Sequence, residues 1–150
     1  MRTGTLAAGL RTFLRNSDGT FTPIEILGKK QVFPIALNDA GQMVGAYFPS
    51  GGLAQYFLRD ADGGVTIIDF PGEFETQLFA LDAHGTVLGS YRKADNTVHG
   101  FYWLQDGTYT SFDPPGSINT VPTAISETGL IAGCFNGTDH IVHAFVRQNP

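Results

Sequence analysis

A chain of 150 residues, 42% hydrophobic and only 15% charged, is long enough to bury one domain's core, and its 19 Gly and 8 Pro suit short strands joined by tight turns better than helices. A formal charge of −5 leaves no basic stripe for a phosphate backbone, which argues against nucleic acid as a partner. The lone Cys134 excludes an internal disulfide or a thiolate zinc site and is read as a small core residue, and no apolar run reaches the length of a membrane span.

After a stretch from Met1 to Leu10, whose apolar run is too short for a signal peptide, the chain falls into a fixed register. Phe13, Phe57, Phe101 and Phe145 stand 44 residues apart, and Asp18, Gly19, Gly28, Ala36, Gly41 and Gly45 each return at that interval without insertion or deletion. A constant period of this size marks stacked units that cannot bury their apolar faces alone. It predicts one repeat domain over 1–150, with units at about 11–54, 55–98 and 99–142 and partial flanking units at 1–10 and 143–150.

Each unit opens on a strand led by the Phe: Phe13-Leu14-Arg15, Phe57-Leu58-Arg59, Phe101-Tyr102-Trp103, and again Phe145-Val146-Arg147. Asp-Gly follows at 18/19, 62/63 and 106/107 and leads into a second run, Thr20 to Ile24, Val65 to Ile68 and Thr108 to Phe112, so a hairpin is predicted with Gly supplying the positive φ. An acid recurs as Glu25, Asp69 and Asp113, three residues before Gly28, Gly72 and Gly116 and twice with a Pro between (Pro71, Pro115), the makings of a corner. A third strand carries Ala36-Leu37, Ala80-Leu81 and Ala124-Ile125, where the small Ala implies crowding by neighbouring backbone. It runs into polar-start, Gly-end tetrads, Asn38 to Gly41, Asp82 to Gly85 and Ser126 to Gly129, expected to be turns. The fourth strand is Met43 to Tyr47, Val87 to Tyr91 and Ile131 to Phe135; its central Gly45, Gly89 and Gly133 imply close packing, expected against the adjacent unit, and Tyr47, Tyr91 and Phe135 are expected in the core.

The predicted fold is therefore all-β, three tandem four-stranded antiparallel repeats plus one extra strand, resembling part of a β-propeller, with a β-trefoil or a β-prism as the alternatives. A closed threefold ring would hold one Phe strand too many, and Met1 falls opposite Gly45 in the register. Self-association, or further blades in a longer parent, is expected to cover the open faces.

The run Asp106-Gly107-Thr108-Tyr109-Thr110-Ser111-Phe112-Asp113-Pro114-Pro115-Gly116, the segment from Thr123 to Gly133 and the triplet His143-Ala144-Phe145 resemble the bacterial HAF repeat, named for that His-Ala-Phe triplet. The likeness spans nearly the whole chain; His99-Gly100-Phe101 is a near variant, whereas Ala54-Gln55-Tyr56-Phe57 and Arg11-Thr12-Phe13 lack the His. The resemblance implies a propeller-like protein, often secreted and so extracellular or periplasmic if the parent is longer, with no assigned catalytic activity and no functional residues to carry over.

Chemistry is less legible. Of His84, His99, His140 and His143, the last two form His-Ile-Val-His, which puts the rings on opposite faces of a strand, and no HExxH or Cys partner accompanies them, so neither a metal nor a cofactor is predicted. The repeated acids invite a glycosidase reading, but catalytic roles differ from one another and break symmetry, so Glu25, Asp69 and Asp113 are read as structural acceptors. Glu73, Glu75, Asp95 and Asp139 do break it, yet they stand in polar stretches and are read as solvated surface. No nucleophile elbow, Walker loop or dinucleotide fingerprint occurs.

The ligand-binding candidates are Trp103, His99 and His143. Trp103 replaces the Arg of Arg15, Arg59 and Arg147 and is weighed as a sugar-stacking platform against a cover for a neighbouring sheet. His99 and His143 share one register position and could line a common surface with Gln55 and Arg11. The expectation is a non-catalytic binding or scaffold module for carbohydrate or protein, against an alternative of a glycoside-hydrolase-like fragment with its active site between blades.

Overall fold

The computed structural model describes residues 12–29, 31–49 and 52–148; the partial unit expected over 1–10, and Arg11, lie outside the described residues. Thirteen strands and no helix are found among the described residues, in four antiparallel sheets that follow one another along the chain. Sheet I pairs β1 (Thr12–Arg15) with β2 (Phe21–Ile24). Sheet II runs in order through β3 (Val32–Leu37), β4 (Met43–Tyr47), β5 (Gln55–Arg59) and β6 (Val65–Ile67). Sheet III does the same with β7 (Glu75–Leu81), β8 (Val87–Arg92), β9 (Val98–Trp103) and β10 (Tyr109–Phe112), and sheet IV holds β11 (Ser117–Ile125), β12 (Leu130–Gly137) and β13 (Val142–Gln148). The fold is thus all-β and built of tandem repeats. Its sheets cut the period at the acid–glycine corner, so the Ala strand comes first in each four-stranded sheet and the Phe strand third.

One turn serves most of the hairpins. At Asp18-Gly19, the Gly19 N–H donates to the Asn16 carbonyl, the Asn16 N–H donates to the Thr20 carbonyl, and Gly19 sits at φ 86°, the three-residue loop that ends in a glycine bulge. Asp18 Oδ1 accepts from the Thr20 N–H at 2.9 Å, and Asp62 and Asp106 repeat this with Gly64 and Thr108. The same loop joins β8 to β9 and β12 to β13, but there Asn96 (φ 68°) and His140 (φ 60°) occupy the left-handed position. The tetrads use it too: Asn38, Asp82 and Ser126 each accept, through a side-chain oxygen, the N–H four residues on. Asn38 Nδ2 also donates to the Asp82 carbonyl, one full repeat away, at 3.0 Å.

The corner between sheets differs in the first copy. Pro71 and Pro115 precede Gly72 and Gly116, both at φ 78°. In the first copy Leu27 and Gly28 both take positive φ and Ile26 and Lys29 exchange two backbone hydrogen bonds, a conformation closed to proline.

Two recurring small residues have distinct causes. Ala36, Ala80 and Ala124 each follow a β-bulge at the same register, after Pro34, Leu78 and Pro122. The bulge turns the strand over, so that Leu78 packs towards sheet II while Ala80 packs towards sheet IV. The mid-strand glycines pack, as the sequence suggests, against the adjacent repeat unit, whose Phe strand lies beside them in the same sheet. Gly45, Gly89 and Gly133 directly oppose Phe57, Phe101 and Phe145 on the next strand, and a methyl group on any of them would meet both that ring and a carbonyl oxygen on the preceding strand at 2.5–2.8 Å.

Alternation along the strands gives every sheet two apolar faces. The rear face of sheet II carries Met43, Tyr47 and Phe57 against Ile24 of sheet I; its front face carries Val44, Leu58 and Ile68 against Val87, Tyr91, Phe101 and Trp103 of sheet III. The front face of sheet III carries Leu88, Tyr102 and Phe112 against Ile131 and Phe145 of sheet IV. Full burial of Phe57 and of Phe101 is worth about 1.5–3 kcal/mol each. The core is thus three separate layers, one for each consecutive pair of sheets, in place of the single barrel or central core of a trefoil or prism.

Candidate functional site

Two of the recurring acids, Asp69 and Asp113, hold their corners. Asp69 Oδ1 accepts from the Thr76 hydroxyl at 2.9 Å while the same hydroxyl oxygen accepts from the Phe70 N–H at 2.8 Å, and Asp113 Oδ1 accepts from the fully buried Thr120 at 2.6 Å. Each bond staples the corner to the first strand of the following sheet. In the first copy the threonine position is Val32, which is buried without a hydroxyl.

His99 belongs to a longer relay. Its Nδ1 lies 2.7 Å from Asp113 Oδ2, its Nε2 lies 2.8 Å from the Thr97 hydroxyl, and that hydroxyl lies 2.6 Å from Asp95 Oδ1. The order carboxylate, imidazole, hydroxyl is that of a nucleophile triad, but the hydroxyl has one proton to give. With Asp95 ionised, that proton goes to Asp95, so the Thr97 hydroxyl has none to give the imidazole. The Thr97 side chain and its N–H hold the Asp95 carboxyl below its ordinary range, which favours this polarity. Thr97 is therefore saturated as a structural hydroxyl and not activated as a nucleophile.

His143, one period on, bonds Asp139 at 2.8 Å and stacks on Phe135 with ring centres 5.0 Å apart, as His99 stacks on Tyr91 at 5.4 Å. Gln55 takes the same position in sheet II and accepts from Tyr47 Oη at 2.5 Å. The three are equivalent side chains, each engaged by its own sheet. Tyr47 and Tyr91 are buried as expected, and Phe135 is half-buried.

Trp103 is 5% exposed and packed between sheets II and III, so its ring offers no open face on which a sugar could stack. At the equivalent place one layer later, the Arg147 guanidinium lies 4.5 Å from the centre of the Phe112 ring. Among the described residues no group of three His, Cys, Asp or Glu side chains comes together as metal ligands.

The open surface lies elsewhere, at one edge of the layer between sheets II and III. A groove of about 530 Å³ is walled by Phe48, Tyr56, Ile67 and Phe74, floored by Ile68, and rimmed by Asp69 and Glu75. Burial, with Glu75 beside it, pushes the Tyr56 phenol up. The corresponding edge between sheets III and IV is closed. Tyr56 becomes Gly100, where a Cβ would lie 2.9 Å from the Phe112 ring, and Glu75 becomes Asn119, whose Oδ1 accepts the Val98 N–H at 2.8 Å. Tyr56 and Phe74 carry no motif in the sequence, where Glu75 reads as solvated surface; the available signal is disagreement between copies at 56/100, 74/118 and 75/119.

No family model matches the chain, and no curated protein matches it significantly.

Proposed function

We propose that the chain is a non-catalytic repeat module, propeller-like in its stacking of sheet on sheet, which serves as a binding or scaffold surface and extends itself end to end through a second copy. One comparison carries this reading. On the front face of sheet IV Val146 is 71% exposed, while its equivalents Leu58 and Tyr102 are 2% and 6% exposed beneath the following sheet. At the other end Phe13 is 48% exposed and packs edge-on against Phe21, whereas Phe57 and Phe101 are fully buried.

An apolar sheet face of this kind is covered or becomes an aggregation site. Here the register itself describes the cover: Phe101 and Tyr109, equivalent to Phe13 and Phe21, pack in the layer that seals Leu58, and Phe145, equivalent to Phe13, in the layer that seals Tyr102. The contact is head to tail, which closes as a ring or continues as a filament. The same units support the likeness to the HAF repeat and, with it, an extracellular or periplasmic setting and a carbohydrate or protein ligand.

Sedimentation of two variants tests the association. Val146→Asp blocks the tail and Phe21→Asp blocks the head, so each alone is expected to be monomeric, while a mixture forms a one-to-one pair through the two intact ends. A wild-type chain that stays monomeric at every concentration, or variants that each still self-associate, overturns the reading.

A further inference from the structure

The groove between sheets II and III is where the copies part company, and its chemistry is one-sided. Phe48, Tyr56 and Phe74 supply aromatic walls, Ile67 an apolar wall and Ile68 the floor, and among the described residues the only charged groups lining it are the carboxylates of Asp69 and Glu75. Each carboxylate has one oxygen committed, Asp69 Oδ1 to Thr76 and Glu75 Oε2 to Arg92 at 2.9 Å, and neither second oxygen has a hydrogen-bond partner among the described residues. Tyr56 Oη, half-buried beside Glu75, likewise has none. The volume of about 530 Å³ lies within the range of small-molecule sites.

An anionic ligand would face two carboxylates, of which only Glu75 is ion-paired among the described residues, with Arg92, and a purely apolar one would cover the second oxygen of each without giving it a partner. A cation with an apolar body answers both, with its charge against the carboxylates and the electron-rich ring faces and its body on the aromatic walls. We infer that this groove binds a small organic ammonium ion, aryl- or alkyl-substituted, one to a chain. The edge between sheets III and IV offers no second such site, because Gly100 and Asn119 close it. This goes beyond the end-to-end association and does not depend on it: a monomer that binds the cation retains the one and loses the other.

The test is titration of the full chain with benzyltrimethylammonium, benzyl alcohol and phenylacetate, followed by amide chemical shifts. The cation is expected to saturate one site, with shifts centred on residues 56, 67–69 and 74–76. The neutral analogue should bind about fivefold or more weakly, as loss of a cation–aromatic contact worth about 1 kcal/mol implies, and the anion more weakly still. Phe74 is exposed, so Phe74→Ala should fold and weaken the cation about fivefold. Glu75→Gln should act in the same direction, and the nearby Glu73→Gln should leave binding unchanged. No binding by the folded chain, equal binding of the cation and benzyl alcohol, several equivalent sites, or undiminished binding by Phe74→Ala each overturns the inference.

Discussion

Gly89 on β8 and Phe101 on β9 are directly opposed, and a methyl group on Gly89 would lie 2.6 Å from the Phe101 ring. The ring occupies the space a side chain would fill, and the fully buried Phe101 then carries the rear face of sheet III into the layer shared with sheet II. The same pair recurs as Gly45 with Phe57 and Gly133 with Phe145, so the most regular feature of the sequence is a device for laying a phenyl ring flat on its own sheet.

Gly89→Ala is accordingly expected to cost about 1–3 kcal/mol by overpacking. The Gln77 carbonyl oxygen also stands 2.5 Å from that methyl position, so removing the ring relieves only part of the clash. In a double-mutant cycle with Phe101→Ala, which alone costs about 3–5 kcal/mol, the glycine substitution should remain unfavourable though less so. Urea midpoints of the four proteins measure this; a Gly89→Ala protein as stable as wild type refutes the packing argument.

The corner staple makes a second prediction. Thr120 is fully buried and spends its hydroxyl on Asp113, so Thr120→Val, isosteric but without the donor, should destabilise by about 1–2 kcal/mol. Thr123→Val, on the exposed side of the same strand, should be near neutral. Equal effects at the two positions in thermal or urea unfolding would remove the staple from the account.

These particulars mark what the sequence could and could not disclose. The 44-residue period, the strands and the glycines at positive φ were legible because each is a local requirement: Gly19, Gly63 and Gly107 all sit where a left-handed residue closes the loop. The hairpins at Asn96 and His140 were not, because a non-glycine residue there carries no comparable signal. That Gly89 and the Phe101 of the next unit share one sheet was not legible, since close approach within a sheet and between sheets leaves the same mark on a sequence. The groove was hidden for a further reason. Tyr56, Phe74 and Glu75 lie on either side of a corner and come together only when two sheets stack.

Acid should loosen the turns. Asp18, Asp95, Asp106 and Asp139 are all held below their ordinary range, Asp18 and Asp95 chiefly by the hydroxyls of Thr20 and Thr97, Asp106 and Asp139 chiefly by the N–H groups of Thr108 and Ile141. A carboxylate whose pKa is lower in the folded chain adds stability above the unfolded value of 3.8 and loses it as pH falls through the folded value. Stability should therefore hold down to about pH 5 and fall progressively below about pH 4. Asp139→Asn, which keeps an acceptor but cannot titrate, should lessen that fall. Urea midpoints between pH 7 and pH 2 that run parallel for the two proteins would contradict the assignment.

Trp103 makes the most demanding prediction, because it stands where three other copies carry Arg. Its burial predicts blue-shifted emission, poor quenching by iodide and a red shift on unfolding, and strong iodide quenching of the native chain would contradict it. Trp103→Arg restores the residue of the other copies and should nonetheless destabilise, because the guanidinium would enter a layer where it meets Ile68 instead of a ring. Arg147 is accommodated by Phe112, and Phe112 in turn needs Gly100, since a Cβ there would stand 2.9 Å from the ring. The compensating change is therefore a pair, Ile68→Phe with Tyr56→Gly. The triple variant should recover about 1 kcal/mol relative to Trp103→Arg alone, the worth of one cation–aromatic contact, while Trp103→Arg with Ile68→Phe and Tyr56 retained should not. If the double and triple variants unfold at the same urea concentration, residues 56, 68 and 103 are independent, and the layers are not held by the matched sets that the repeat implies.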